Sequence, residues 1–411
     1  MRSFFSIAAL TLGAATPALA QTPPAAAAAP AAPAPCQAQI SKGARPALVA
    51  LQNAVVAKNS AAVPGLVTAA QAVAKSADDK CFIGQMQYFA AIDAKDYRAA
   101  SAALGAQRAS GAIPAQDFAA KYDNLGRLQY EAKSYADAAA SFEQALQIAP
   151  NRAETIVMLA ETRTKQERIA DALPLYQKGI ATEVAAGRKP PESWYRRLVA
   201  VAYNSKNPQA LTLARDWVAA YPTAKNWRDA IKIYADNAAV DEIGKVDLYR
   251  LARLNKALAG ETDYYRLALG TLTRGFPGEA KAVLEEGFAS NAISRSTPAI
   301  RDAYAQASAK AAGDRAALEG QVAGARSGSA AKPLMALGEA YYGYGDYAKA
   351  ADMYRLALTK SGVDASLANL RLGMSLAASG DAAGARTALN AVTGARQEIA
   401  RYWLTYLSTR S

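Results

Sequence analysis

Residues 122–150 read YDNLGRLQYEAKSYADAAASFEQALQIAP, and residues 334–362 read LMALGEAYYGYGDYAKAADMYRLALTKSG. Laid over one another without a gap, they match Leu125-Gly126 with Leu337-Gly338 and Tyr135 with Tyr347. Ala138, Phe142 and Ala145 fall on Ala350, Tyr354 and Ala357. Self-similarity at fixed spacing marks a supersecondary unit that buries its apolar face by stacking on copies of itself. The spacing predicts two antiparallel helices of about 13 residues joined by a short turn. Gly126, Ala138, Gly338 and Ala350 stand where backbones approach closely. Tyr135, Phe142, Tyr347 and Tyr354 fill the space between helices, and Pro150 stops the second helix. Gly345-Asp346 and Gly380-Asp381 are turn dipeptides between paired helices.

An aromatic, Leu-Gly, Tyr, Ala, a second aromatic, Ala and Pro in this order resembles the tetratricopeptide repeat. Tyr341, Gly345 and Asp346 add to the likeness in the second segment. Degenerate copies open at Gly84, Tyr122, Ile156, Trp194, Trp227, Tyr264, Asp302, Leu334 and Asn369, at intervals of 38, 34, 38, 33, 37, 38, 32 and 35. The unit from Ile156 keeps Leu159-Ala160, Ala172 and Tyr176, and that from Tyr264 keeps Leu267-Ala268, Ala280, Leu284 and Gly287. The units from Gly84 and Asp302 keep mainly Asp96-Tyr97-Ala100 and Gly313-Asp314. The best-kept units span 119–152, 153–186, 331–363 and 366–393, and a further helical pair is expected within 41–78. The tail 395–411 places Ile399, Tyr402, Trp403, Tyr406 and Leu407 at helical spacing, as a cap for the last repeat. The resemblance implies an all-α chain: a right-handed α-solenoid of about ten helix-turn-helix units over 36–411, with almost no sheet. Ala186–Pro191 and Gly324–Ala331 are expected joints within it.

The first twenty residues place Arg2 ahead of the apolar run Phe4–Ala15 and end on Ala18-Leu19-Ala20, the order of a cleaved secretory signal. Loss of 1–20 takes Arg2 with it and lowers the formal charge from +12 to +11. Residues 21–35 carry five prolines and eight alanines and are expected to be an extended tether. Export to the periplasm is the expectation, with no membrane anchor in the mature chain, because no later stretch reaches 18 uncharged apolar residues. Cys36 and Cys81, 45 residues apart, are expected to form a disulfide in an oxidising compartment.

The composition removes whole classes of chemistry. The chain has no histidine and two cysteines, so a Ser-His-Asp or Cys-His group, a His-ligated zinc and an iron–sulfur cluster are excluded. Ser329-Ala330-Ala331-Lys332 fits S-x-x-K, but the companion K-T-G and S-D-N are missing. Glu192-Ser193 resembles the catalytic pair of lytic transglycosylases without that family's further motifs. Glu192 suits a helix N-terminus instead. Asp241-Glu242 and Glu285-Glu286 are neighbours on one helix, whose side chains diverge. No catalytic residue, metal or cofactor is therefore expected, and a peptidoglycan hydrolase is a remote alternative.

Tetratricopeptide arrays generally bind protein segments along the groove lined by the first helix of each pair. By that resemblance Arg127, Tyr130, Glu161, Met335, Glu339, Tyr342, Leu370 and Met374 are the expected groove residues. The Lys/Asn/Arg clamp of the family's chaperone-tail binders is not reproduced at Asp123, Arg127, Val157, Glu161, Met335 and Glu339. The expected partner is a protein or peptide of the cell envelope, and nucleic acid is not expected. The alternative is an anionic envelope polysaccharide or peptidoglycan held on basic faces: Arg188-Lys189, Arg196-Arg197, and Arg250, Arg253 and Lys256. Leu248, Leu251, Leu254 and Leu258 form the apolar side of that last helix, so its arginines are expected to face water.

Overall fold

The computed structural model describes Cys36 and residues 38–410. The expected signal (1–20) and tether (21–35) lie outside the described residues. Twenty α-helices and no strand occur among the described residues, which fall into two compact units meeting at Ala115 and Gln116. No helix among them is long and apolar enough to cross a membrane.

The first unit holds α1 (Arg45–Val56), α2 (Val63–Val73), α3 (Ala77–Asp93) and α4 (Tyr97–Ala109). The first pair occupies the segment expected to be helical. Proline in the first turn of α1 and of α2 sits where its missing N–H costs nothing. Ser76 caps α3 in a reciprocal box with Asp79. Asp79 also accepts the Ser41 N–H at 2.9 Å, and Asp78 the Gln39 N–H at 2.6 Å, which pins the incoming chain to the start of α3. The Cys36–Cys81 disulfide closes the same junction, with Cα atoms 5.2 Å apart. Burial raises the Asp79 pKa, but the N–H groups of Ser76, Lys75 and Ser41 outweigh it and hold the carboxyl well below the usual range. This ionised cap therefore stabilises the unit at neutral pH, and the contribution is lost as pH falls through the folded value.

The second unit runs through α5 (Phe118–Glu131), α6 (Tyr135–Ile148), α7 (Ala153–Lys165), α8 (Ile169–Ala185), α9 (Glu192–Asn204) and α10 (Ala210–Ala220). It continues through α11 (Ala224–Asn237), α12 (Glu242–Leu254), α13 (Gly260–Leu272), α14 (Pro277–Ala289) and α15 (Pro298–Ser327). It ends with α16 (Ala331–Gly343), α17 (Tyr347–Ala357), α18 (Ala365–Ser379), α19 (Ala382–Asn390) and α20 (Gln397–Ser408). Each expected repeat opening lies in the first helix of a pair, except Asp302.

That exception is a correction. Residues 298–327 form one 30-residue helix, not a hairpin with a turn at Gly313-Asp314. The stretch is alanine-rich with proline only at its first position, so isolated glycines at about 1 kcal/mol each do not break it. Ile300, Ala303, Ala307, Ala311, Leu318 and Ala325 form its buried stripe. The expected joint at Gly324–Ala331 is also clasped. The Ser361 N–H donates to the Ser329 carbonyl and the Ala331 N–H to the Ser361 carbonyl, each at 3.0 Å, and Lys360 Nζ reaches the Arg326 carbonyl at 2.8 Å. At Ala186–Pro191, Tyr221 donates its hydroxyl to the Pro190 carbonyl and Lys189 lies over the Tyr221 ring.

Seven hairpins turn by one device. At Lys95, Lys133, Glu167, Lys206, Gly275, Gly345 and Gly380 the backbone enters the left-handed region. The next N–H then donates back to a carbonyl five residues earlier, as from Ser134 to Gln129 and from Asp346 to Tyr341. Across three hairpins a missing side chain admits a large one. A Cβ on Gly126 would stand 2.7 Å from the Phe142 ring, one on Gly338 2.6 Å from the Tyr354 ring, and one on Gly373 2.5 Å from Leu389.

Two outcomes follow for denaturant midpoints. Lys133→Gly removes the steric cost of a left-handed lysine and should stabilise its unit by about 1 kcal/mol. Gly338→Val should destabilise by about 1–3 kcal/mol through overpacking against Tyr354.

Candidate functional site

The first helices of the early hairpins in the second unit carry an open face. On α5, Arg127 Nε donates to Asp123 Oδ2 at 2.9 Å, and Asp123 Oδ1 accepts the Thr155 hydroxyl of α7 at 2.7 Å. Tyr130 packs edge-on against Tyr135, and burial raises its pKa. On α7, Glu161 pairs with Arg197 of α9 at 2.8 Å. Between α9 and α11 lies a cleft of about 570 Å³, lined by Arg196, Arg197, Tyr203, Asn204, Lys232 and Ile233 among others. Tyr203 is exposed there, while Trp217 and Val199 form a buried floor. Arg127, Tyr130 and Glu161 are half-buried.

The later hairpins differ. Glu339, Tyr342, Leu370 and Met374 are buried, and Met335 is half-buried against the core, so these expected groove residues do not line an open groove. The reason is a knot of charge in the space a groove would need. Arg250 of α12 forks onto Glu279 of α14, with Nε to Oε1 at 2.8 Å and Nη2 to Oε2 at 2.5 Å. It also reaches Glu339 of α16 at 3.0 Å and Asp247 of its own helix at 3.1 Å. Arg371 of α18 meets Glu339 at 2.5 Å and Asp247 at 3.7 Å. Tyr354 donates its hydroxyl to Glu339 at 3.1 Å, and the Tyr342 ring lies 4.7 Å beneath the Arg250 guanidinium. The three carboxylates that face the two arginines, and the arginines themselves, are inaccessible to solvent or nearly so.

Burial raises the pKa of Glu339, but Arg250 and Arg371 outweigh it and hold the carboxyl at about 2. At Asp247 burial wins over the same two arginines and pushes the carboxyl up. Arg250, expected to face water, is a second correction: α12 is buried continuously from Val246 to Ala252, on both sides, so no solvated face exists there.

The other sequence features have structural occupations. Glu192 accepts from Asn226 Nδ2 at 2.9 Å and Trp217 Nε1 at 3.3 Å, which ties α9 to α10 and α11. Asp241 caps α12 through the Gly244 N–H, and Glu286 pairs with Arg253. Arg188 forks onto Glu183. Glu279 and Arg371 escaped the sequence reading because their partners lie on other hairpins, and Arg250 and Glu339 are 89 residues apart.

A family model described as tetratricopeptide repeat matches residues 129–185, from the end of α5 through α8. Those residues carry tetratricopeptide repeat sequence. Similar solved structures include pilF of Pseudomonas aeruginosa, with 16% identity, 61% of this chain and 98% of that one covered, and a TM-score of 0.26. The TPR2AB domain of yeast Sti1 in its pHSP90 complex gives 13% identity, 71% and 99% coverage and a TM-score of 0.26. The C-terminal part of a TPR repeat-containing protein from Cytophaga hutchinsonii gives 10% identity, 77% and 96% coverage and a TM-score of 0.28. None of these superpositions is close enough to transfer a ligand. No curated protein matches the chain.

The charge knot makes a stability prediction. Glu339→Gln leaves Arg371 with only its longer contact to Asp247, removes one partner of Arg250, and should cost about 3–5 kcal/mol in denaturant unfolding. Because the folded pKa of Glu339 is depressed from 4.5 to about 2, its share of the stability is present above pH 4.5 and lost as pH falls toward 2. The acid limb of the stability profile should therefore flatten in the variant.

Proposed function

We propose that this protein is a non-catalytic scaffold of the periplasm that binds a protein or peptide on the open face of α5, α7, α9 and α11. The observation that carries the reading is the cleft between α9 and α11, which combines an exposed aromatic ring, apolar floor and convergent polar side chains. That combination suits an extended peptide whose side chains alternate between floor and rim. Export is supported by the order of residues 1–20 and by a disulfide, which persists in oxidising compartments. Role in an envelope assembly follows from that location.

The alternative, an anionic polymer held on basic faces, is weakened at the residues that suggested it. Arg188 is neutralised by Glu183, Arg197 by Glu161 and Arg253 by Glu286, and Arg250 is interior.

The test is capture from periplasmic extract by mature chain and by an Arg196→Glu/Tyr203→Ala variant, washed at low and high salt. Both residues are exposed, so the variant should keep its melting temperature within about 2 °C. It should lose a partner that the unaltered chain retains through high salt. Equal capture by both proteins would reject the α9–α11 face. Carbohydrate released by salt would favour the polymer.

A further inference from the structure

The last helix does more than cap the hairpin before it. α20 lies against α10, α11 and α12, elements almost two hundred residues earlier in the chain. Tyr402 is fully buried between Trp227 and Tyr234 of α11, with ring centroids 6.5 and 5.2 Å away. Its hydroxyl donates to the Leu211 carbonyl at 3.0 Å. Ile399 enters a notch made by Gly244 of α12, where an added Cβ would stand 2.8 Å from Ile399 Cδ1. An ion pair and a hydrogen bond rim the seat: Arg215 of α10 donates to Glu398 at 2.8 Å, and Arg410 donates to the Leu254 carbonyl at 3.3 Å. An aromatic centre, an aliphatic knob in a glycine notch and a charged rim are the anatomy of a helix held in a groove.

Two features separate this seat from ordinary core. The indole N–H groups of Trp227 and Trp403 are both buried without a hydrogen-bond partner. Each such group costs about 1–3 kcal/mol, so the seat is complementary in shape and rim charge yet unfinished in hydrogen bonding. Secondly, α20 is joined to α19 by a short connection that turns at Gly394 in the left-handed region.

We propose that α20 is a ligand held in cis, and that the surface of α10, α11 and α12 beneath it is a second binding surface. That surface takes from another polypeptide an amphipathic helix with an adjacent aromatic pair and a carboxylate one turn earlier. An acceptor side chain on that helix can satisfy an indole N–H that α20 leaves unpaired. The surface is distinct from the open face: α11 turns Trp227, Ala230 and Tyr234 toward it, and Asp229, Ile233 and Asp236 toward the cleft. The proposal therefore stands apart from the reading of that cleft.

The test uses the full chain carrying Ile399→Asp and Tyr402→Asp, which should release α20 and leave its seat vacant. A fluorescently labelled peptide of residues 397–411 should bind this variant at least tenfold more tightly than the unaltered chain, read by anisotropy. A peptide with Tyr402→Ala and Trp403→Ala should lose that binding. In the unaltered chain, hydrogen exchange should open 397–408 while 224–254 stays protected. A folded variant that ignores the peptide would overturn the proposal. So would a variant that loses cooperative unfolding, or exchange of 397–408 only together with 224–254, since either makes α20 part of the core.

Discussion

Arg250 holds the later hairpins of the second unit together. Its guanidinium joins α12 to α14 and α16, and Glu339 passes the connection on to Arg371 of α18 and Tyr354 of α17. Removing such charges from water costs several kcal/mol per ion, which only near-complete pairing offsets. Glu279, Glu339 and Asp247 face Arg250 and Arg371, with Arg274 close enough to feel Arg371, Glu339 and Asp247. Three carboxylates thus meet three guanidinium groups. A hairpin shifted by one residue would leave a buried charge alone, so the knot enforces a single register along four helices. Satisfaction is incomplete: Asp247 keeps one carboxylate oxygen and Arg371 two guanidinium nitrogens without a hydrogen-bond partner, and burial raises the pKa of Asp247 while that of Glu339 falls.

Two scales of interaction therefore build the unit. Within a hairpin, a left-handed turn residue and a glycine opposite an aromatic or leucine fix the angle and distance of two helices. These devices recur because each needs only residues close in sequence. Between hairpins, the charge knot and α20 act once each, and they join residues 29 to 191 apart. Local devices would allow an array that opens and closes freely; the long-range contacts restrict it.

This division decides what could be read from the amino-acid sequence. Leu125-Gly126, Phe142 and their counterparts Leu337-Gly338 and Tyr354 announce hairpins because glycine and ring must keep a fixed separation along the chain. The turns at Gly345 and Gly380 were legible for the same reason. Those at Lys133 and Glu167 were not, since a lysine or glutamate carries no sign of the left-handed backbone it will adopt. The tail residues Ile399, Tyr402, Trp403, Tyr406 and Leu407 are all buried, but the partners Trp227, Tyr234 and Gly244 were out of reach of any periodicity. Arg250 misled because the leucine stripe of α12 implies an opposite face in water. In a chain that folds back on itself, both faces of a helix can be interior.

The same geometry divides the helix face that would otherwise be one continuous groove. From α5 to α11, cations and carboxylates meet at the edge of solvent, where ion pairs are weak and exchangeable with a partner's charges. From α12 to α18, the equivalent charges are desolvated and committed to one another, so a partner could reach them only by paying the cost of an unpaired buried ion. Recognition is thereby confined to surfaces whose opening exposes no charge of the knot. α11 lies at that boundary, with polar residues toward the cleft and aromatic ones toward α20. The cleft and the seat of α20 are thus opposite sides of one helix.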